Sequence, residues 1–320
     1  MSCVFTSPSS RVTLVRRLAL ASVVANVGIV LTGGAVRLTE SGLGCPTWPR
    51  CTEDSYITTP EMGFHGAIEF GNRLLTFVLA AIAIASVGAA WRVRPRPRRL
   101  LTLALAAAAG IPAQAVIGGF TVLTDLNPWV VSLHFLASMA VIACAYAFWR
   151  TTLGLDTPTP TAGLPAAPRP LRLLARVITV VTAALLIVGT WVTGSGPHSG
   201  DSGAARNGLN PESISQAHAD LAFLLLGLAV AAWFSMRTIQ AAAPQRAATL
   251  LVVVVVAQGV GGMVQHFTGL PELLVALHLV GSCLTWLAAL YLWDTTHARL
   301  SVARQGGDTA TPVSAAATIG

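Results

Sequence analysis

The sequence predicts an all-α polytopic membrane protein, with eight transmembrane helices arranged as two pseudo-symmetric four-helix bundles. The chain of 320 residues is 54% hydrophobic and only 10% charged, with a mean hydropathy of +0.68, which excludes an ordinary soluble protein. It contains eight charge-free runs, most of which reach the roughly 20 residues that a bilayer-spanning helix needs. It also contains an internal duplication, which divides the eight runs into two sets of four.

The duplication is carried by residues that recur at one offset of 144 residues, without a gap. The matching pairs are Gln114/Gln258, Gly118/Gly262, Val131/Val275, His134/His278 and Ser138/Ser282. A repeat of this length is not a solenoid period, and it indicates two homologous halves of one domain. The repeat therefore duplicates a histidine together with its surroundings.

The apolar runs place the helices in order. They are residues 18–36, 74–91, 100–124, 126–149, 177–200, 221–236, 247–271 and 273–293. The sixth run is short, but polar residues 213–220 can start its helix outside the hydrocarbon. We therefore predict a cytoplasmic tail at 1–13, an N-terminal bundle at 14–150, a cytoplasmic linker rich in Thr, Pro and Ala at 151–170, a C-terminal bundle at 171–294 and a second tail at 295–320.

The basic residues indicate the orientation. All twenty are arginine, and sixteen lie in segments on the same side as the N-terminus. By the positive-inside rule both termini are cytoplasmic. The net charge of +7 then describes topology, so membrane lipid is an expected partner and nucleic acid is not. The first apolar run is long and no small-residue cleavage site precedes Arg37, so we do not expect a cleaved signal peptide.

The first helix is expected to end near Val36 and to open an outer loop of about thirty residues. Loops this long between packed helices are usually functional. Cys45 and Cys51 flank a Pro-Thr-Trp-Pro-Arg turn in this loop. Because the loop lies on the oxidising side of the membrane, the pair favours a disulfide.

The second helix begins near Gly63 and carries His65, Glu69 and Arg73 one turn apart on one face. A carboxylate this close to the hydrocarbon is expected to be paired or to handle protons. Both alternatives stay open here: an ordinary ion pair between Glu69 and Arg73, or a proton-transfer group.

Four histidines fall near the starts of the even-numbered helices: His65, His134, His218 and His278. We expect them at one depth near the outer face, where ionisable residues are costly and usually functional. Two imidazoles on facing helices are the arrangement that binds a haem iron on both axial faces. Zinc is the rival, but four zinc ligands would have to converge on one ion, whereas the duplication separates them into two pairs.

Glycines accompany these histidines on the third and seventh helices, at 118, 119, 261 and 262. They either leave room for a flat macrocycle or allow close packing of helices, and the sequence favours neither. His198, His266 and His297 lie in loops or at helix ends without a repeat partner, and we expect them at the surface.

Several stretches resemble the haem A synthases, the family that also contains the Cox15 proteins, here of the bacterial type with one extracytoplasmic cysteine pair. The matching stretches are 32–39 (TGGAVRLT), 41–51 (SGLGCPTWPRC), 68–73 (IEFGNR), 189–201 (GTWVTGSGPHSGD), 218–220 (HAD) and 277–278 (LH). They span nearly the whole membrane domain. The first two and the fourth are long and chemically unusual.

The resemblance implies an enzyme of two four-helix bundles that oxidises the C8 methyl group of haem O to the formyl group of haem A, using water-derived oxygen. It implies that His218 and His278 bind the iron of a haem b, and that the N-terminal bundle is the substrate site, with Glu69 and His134. The family's cysteine pair matches Cys45 and Cys51. Arg37 and Arg73 fall in the matching stretches as supporting residues.

The same resemblance implies further partners. They are haem O synthase (protohaem farnesyltransferase), the assembly of a cytochrome aa3-type oxidase and, as an open alternative, a second copy of the chain. The expected location is the bacterial plasma membrane, with the haem sites near the outer face.

One position departs from the family. The usual Glu-x-x-His-Arg reads Glu69-Phe70-Gly71-Asn72-Arg73, so asparagine, a poor iron ligand, stands where a histidine is expected. Either His65, two turns earlier, takes over, or His134 alone holds the substrate iron. The C-terminal half, aligned through His65 and His218, offers apolar Ala222 in the place of Glu69.

Two other functions remain as alternatives. A haem-binding assembly or insertion factor for cytochrome oxidase would need the histidines but no catalytic carboxylate, so Glu69 favours the enzyme. A di-haem electron carrier would place haems at both membrane depths, and four histidines at the outer face argue against it.

Overall fold

The computed structural model describes residues 8–95, 97–155 and 167–298. Its long helices are α1 Pro8–Leu38, α2 Gly63–Arg92, α3 Arg98–Leu123, α4 Pro128–Leu153, α5 Arg169–Ser195, α6 Pro211–Thr238, α7 Ala242–Phe267 and α8 Glu272–His297, and a 3₁₀ turn, Pro60–Met62, precedes α2. Within these ranges there is no strand. All eight long helices are sufficiently long and apolar to cross a membrane. The predicted fold class, an all-α multi-pass membrane protein, is confirmed.

Two helix starts follow directly from local sequence. Asn127 precedes Pro128, and its side chain accepts a hydrogen bond from the Trp129 amide at 3.0 Å. Asn210 precedes Pro211 and accepts from the Ser213 amide at 2.9 Å. Proline has no N–H to satisfy at the first helical position, and an asparagine cap satisfies one that remains. Helix α6 consequently begins slightly before the polar segment 213–220 that we expect to start it.

The helices extend beyond several predicted boundaries. Helix α1 begins at Pro8, inside the stretch predicted as a tail, and Val15 is fully buried. The arginines at 16 and 17 interrupt the apolar run in the sequence, but at a membrane edge long basic side chains can extend toward water. Likewise, helix α4 includes the first residues of the predicted linker, and helix α5 includes its last residues. The rest of the linker and of the tails, residues 1–7, 156–166 and 299–320, lies outside the described residues.

The helices form two rings in chain order. Helices α1 to α4 each pack on the next and α4 returns to α1, while α5 to α8 do the same and α8 returns to α5. Between the rings, α1 contacts α8, α4 contacts α5, and α4 contacts α8. This is the contact pattern of two four-helix bundles packed side by side.

Residues at matching positions of the two halves join the rings. Between them lies an apolar cluster that includes Val30, Met139 and Cys283, and the Trp286 indole donates to the Met139 carbonyl at 3.0 Å. Arg150 on α4 pairs with Asp294 on α8, with its Nη2 2.6 Å from Oδ2. These two residues are 144 positions apart, which is the offset of the sequence repeat.

The C-terminal ends of α1 and α5 are also joined. Arg37 donates to the Thr193 carbonyl at 2.6 Å and to the His198 carbonyl. The Gly42 amide donates to the Gly200 carbonyl at 2.9 Å. These contacts give Arg37 a structural role between the halves.

Candidate functional site

The duplicated residues build the same local structure twice. The Gln114 side chain on α3 donates to the His134 carbonyl on α4 at 3.2 Å, and Gln258 on α7 donates to the His278 carbonyl on α8 at 3.0 Å. The glycines of the repeat lie against the rings. A Cβ added at Gly118 would lie 3.1 Å from the His134 ring, and one at the equivalent glycine of α7 would lie 3.2 Å from the His278 ring. The neighbouring helix therefore fixes each histidine at both its backbone and its imidazole.

A third histidine follows the same rule. His218 on α6 lies against Gly189 of α5, where an added Cβ would come within 3.0 Å of the ring. The His218 and His278 ring centroids are 6.4 Å apart, with an angle of 63° between the planes. An imidazole nitrogen binds a metal at about 2 Å, so two rings on opposite sides of one metal have centroids about 6 Å apart. The pair is therefore spaced as two axial ligands would be.

One nitrogen in each of these three rings is buried without a regular hydrogen bond. The Nδ1 atoms of His134 and His278 have no partner within the described chain, while the His218 ring makes one weak contact, with the Leu185 carbonyl. A buried polar atom without a partner is costly, typically by about 1–3 kcal/mol, and is rare in folded proteins. Three such atoms at equivalent places indicate side chains arranged for a ligand.

The fourth place, on α2, holds Asn72. Its Nδ2 is the atom closest to a Cβ added at Gly33 of α1, at 4.0 Å, and the Thr32 hydroxyl donates to its Oδ1 at 2.7 Å. This contact between α1 and α2 corresponds to the contact of Gly189 with His218 between α5 and α6. Position 72 is therefore the structural counterpart of His218.

His65 lies elsewhere, contrary to the expectation that all four histidines occupy equivalent positions. It is the third residue of α2, whereas His134, His218 and His278 are the seventh or eighth residues of their helices. Its side chain is exposed, and its Nδ1 lies 3.0 Å from the Ser41 hydroxyl of the outer loop. The loop ending at Gly63 delays the start of α2, which leaves His65 in the first turn.

Glu69 is buried, with only 5% of its surface exposed, and both of its oxygens are engaged. Oε1 pairs with Arg73 Nη2 at 2.6 Å, and Oε2 accepts the Cys45 amide at 2.6 Å. The ion pair that the sequence offered as one alternative is present. It is also part of a larger assembly, because the carboxylate holds the backbone of the cysteine loop.

Arg73 completes this assembly by donating to loop carbonyls, namely those of Cys45 at 2.9 Å, Thr47 at 3.1 Å and Arg50 at 3.0 Å. Cys45 and Cys51 are within bonding distance, with sulfurs 2.01 Å apart, so the predicted pairing is confirmed. The Trp48 indole at the loop tip packs on Gly119 of α3, leaving no space for a Cβ there. The loop thus contacts Gly119, which is adjacent to Gly118, and Gly118 contacts the His134 ring.

The remaining three histidines lie in different surroundings. His266 is exposed, as expected. His198 is half-buried, and its Nε2 lies 2.9 Å from the Leu270 carbonyl, so it links the loop after α5 to the loop before α8. His297 stacks on Trp293 at 5.2 Å between centroids.

The sequence identifies four contributors as residues but not their roles. Gln114 and Gln258 share the repeat offset with the histidines, and Thr32 and Gly189 begin stretches that resemble the family. Only the fold places Gly189 beside His218 and Thr32 beside Asn72. Among the residues that the structure describes, no three His, Cys, Asp or Glu side chains converge as a metal-ion site, so zinc gains no support.

The fold and the site together define a multi-pass membrane protein that holds imidazole side chains within its helical bundles, one pair of them spaced as axial ligands. The model of the COX15-CtaA family, described as cytochrome oxidase assembly protein, matches residues 16–198, more than half of the chain. The chain belongs to this family.

The individual relatives match a smaller part of the chain than the family model does. The chain is 33% identical over 109 residues to a protein named heme A synthase from Geobacillus thermodenitrificans, covering 33% of this chain and 32% of that one. It is 35% identical over 129 residues to one of the same name from Lysinibacillus sphaericus, covering 39% and 40%. The matched region thus spans two fifths or less of the length of these relatives.

Proposed function

We propose that the protein is a haem A synthase, which oxidises the C8 methyl group of haem O to a formyl group with water-derived oxygen and so supplies haem A to an aa3-type oxidase. The observation that carries the proposal is the His218–His278 pair, 6.4 Å between centroids, beside a second site that has a histidine and a buried carboxylate. Family membership and the names of the relatives support it.

The C-terminal bundle is the resident haem b site in this proposal, with His218 and His278 as the iron ligands. The spacing of the rings and their buried nitrogens fit an iron between them, and the glycines let both rings pack against the neighbouring helices. A bound haem b supplies one-electron transfer. The protein contributes fixed rings, because Gln258 holds the His278 carbonyl and Gly189 abuts His218.

The N-terminal bundle is the substrate site, where His134 faces the iron of haem O. Glu69 is the catalytic group, acting as a proton acceptor at the outer end of α2. Its carboxylate is held by Arg73 and by the Cys45 amide, which fixes its position without a further reorganisation. Arg73 is a positioning residue for both the carboxylate and the loop, and Arg37 fixes the junction of the two halves.

The proposed setting is the bacterial plasma membrane, with both termini in the cytoplasm and the haem sites near the outer face. The charge distribution supports this orientation, since sixteen of the twenty arginines lie in segments on the same side of the membrane as the N-terminus. Haem O synthase, which makes the substrate, and the cytochrome oxidase assembly are the proposed partners, and a homo-oligomer is compatible with the exposed apolar helix faces.

The test is expression in a bacterial host that makes haem O but lacks its own haem A synthase, followed by extraction of the pigments. Haem A should accumulate with the wild-type chain, should be absent with His278→Ala, and should persist with the exposed control His266→Ala. Unchanged haem O in a host that makes well-folded, haem-containing protein would refute the enzyme and leave the assembly-factor alternative.

A further inference from the structure

We infer that the N-terminal site is a one-histidine haem site: His134 is the single protein ligand of the substrate iron, and the Asn72 amide faces the open axial position as a hydrogen-bond donor for a water-sized ligand. The inference rests on the proposed function for the identity of the substrate. It goes further in stating how that substrate is coordinated in this chain.

The first step is the location of position 72. Three imidazoles each lie against a glycine of the preceding helix, at Gly118, Gly189 and Gly262. The corresponding contact between α1 and α2 is made by Gly33 and Asn72, with 4.0 Å between Nδ2 and an added Cβ. Asn72 therefore occupies the place from which a second axial ligand would come.

The second step removes His65 as a substitute ligand. His65 lies seven residues before Asn72, which is about 10 Å along a helix axis. Its ring is exposed and its Nδ1 contacts the Ser41 hydroxyl at 3.0 Å. Gly44 packs on the His65 backbone so closely that a Cβ at Gly44 would collide with it. The outer loop thus holds His65 outside the level of the other three rings.

The third step concerns the Asn72 amide itself. The Thr32 hydroxyl has one hydrogen and two acceptors in reach, Asn72 Oδ1 at 2.7 Å and the Ile29 carbonyl at 3.1 Å. The shorter contact takes the hydrogen and fixes Oδ1 against α1. The Nδ2 group, with two N–H donors, then lies over Gly33, 4.0 Å from an added Cβ, where α1 has no side chain to occupy the space beside it. An uncharged donor that cannot bind iron leaves the axial position free and stabilises a small ligand with a lone pair.

The experiment uses the purified full-length protein with its resident haem, loaded with haem O under nitrogen so that no turnover occurs. Carbon monoxide is the probe, added to the reduced protein. We expect one carbon monoxide per loaded haem O and none at the six-coordinate C-terminal haem. The Asn72→His variant should lose this binding and become low-spin, because a second imidazole closes the axial position.

Asn72→Leu is the matched control, since it cannot bind iron and cannot donate a hydrogen bond. It should keep carbon monoxide binding to within about tenfold, the effect of one hydrogen bond, while the infrared stretching frequency of the bound carbon monoxide shifts from the wild-type value. An unchanged low-spin C-terminal spectrum in both variants shows that they are folded.

Two results would overturn the inference. One is a haem O that binds no carbon monoxide in the wild-type protein. The other is binding that increases in His65→Ala, which would identify His65 as the second ligand. Neither result depends on turnover, so they are separable from a failure of the proposed function, which would be the absence of haem A in the expression test.

Discussion

The two histidine sites have the same arrangement of helices. They differ in the residue that accompanies the histidine of α4 or α8. In the C-terminal half two imidazoles face each other, His218 and His278, with ring centroids 6.4 Å apart. In the N-terminal half one imidazole, His134, shares its bundle with Asn72, and a buried Glu69 carries the disulfide loop. A site closed on both sides is suited to hold a resident group, whereas a site with one ligand and an acid–base residue is suited to exchange and alter its group.

The contacts also correct how the halves are aligned. Matching His65 with His218 puts Ala222 in the place of Glu69, but the glycine contacts match Asn72 with His218. The residue three positions before His218, and so the counterpart of Glu69, is then Ser215. Either alignment leaves the C-terminal half without a carboxylate at that place, so the contrast between the halves stands.

The largest expected effect is the separation of the two sites by histidine replacement. His278→Ala should remove the low-spin b-type spectrum of the purified protein entirely, because one axial ligand is lost. His134→Ala should leave that spectrum intact and stop formation of haem A. Optical spectra and pigment extraction measure the two properties. Loss of the resident spectrum in His134→Ala with retention in His278→Ala would reverse the assignment of the halves.

The next effect concerns the carboxylate that only the N-terminal half possesses. Glu69→Gln keeps the shape of the side chain but removes the proton acceptor, and general acid–base catalysis contributes about 10²–10⁴-fold. Haem A formation should fall by about that factor while the C-terminal haem spectrum is unchanged. The exposed Glu61→Gln is the control, expected to behave as wild type. Near-normal haem A from Glu69→Gln would leave only the ion pair and the loop contact as the role of this residue.

A moderate effect is expected from the loop that distinguishes the N-terminal half. Cys45→Ser with Cys51→Ser removes a cross-link over a short loop, worth about 2–3 kcal/mol in the entropic model. The double variant should lower the midpoint of thermal unfolding slightly and reduce haem A formation more than resident haem content. Mass spectrometry of alkylated wild-type membranes checks the premise, and two free thiols there would contradict it.

The smallest effect tests the glycine contacts in the C-terminal half. Gly262→Ala places a Cβ 3.2 Å from the His278 ring, whereas at the adjacent Gly261 an added Cβ meets nothing within 4 Å. Both changes have the same effect on helix propensity, so their difference isolates the ring contact. Gly262→Ala should weaken retention of the resident haem by about fivefold, from about 1 kcal/mol of displaced packing. Haem loss to an acceptor protein measures it, and equal rates in both variants would dismiss the contact.

The part of the two histidine sites that the sequence predicts best is the part where the repeat has no insertion or deletion. Between Gln114 and Ser138 the two copies have the same spacing as between Gln258 and Ser282, so one offset identifies both histidines and their glutamines. The helix count and the cysteine pairing also followed from composition and spacing.

The other part could not be predicted, because the outer loop before α2 and the loop before α6 differ in length and remove the common offset. Residue type alone points to His65, although contacts with Ser41 and Gly44 of the preceding loop hold it in the first turn of α2. The family motif marks position 72 as a place where a histidine is expected, and the contact with Gly33 identifies Asn72 as the counterpart of His218. The early start of α1 escaped prediction for a related reason, since a charge-free run cannot reveal turns that carry arginine at the membrane edge.

The Arg150–Asp294 pair bears on how the two halves recognise each other. As an isolated pair with partly exposed side chains it adds little to stability, about 0–1 kcal/mol. Its two members, however, occupy copies of one position where α4 crosses α8. Two N-terminal halves docked through this crossing would bring arginine against arginine, and two C-terminal halves aspartate against aspartate. Like-charge contacts disfavour both of these assemblies, so the charges at this position favour the pairing of one half with the other over the pairing of two like halves.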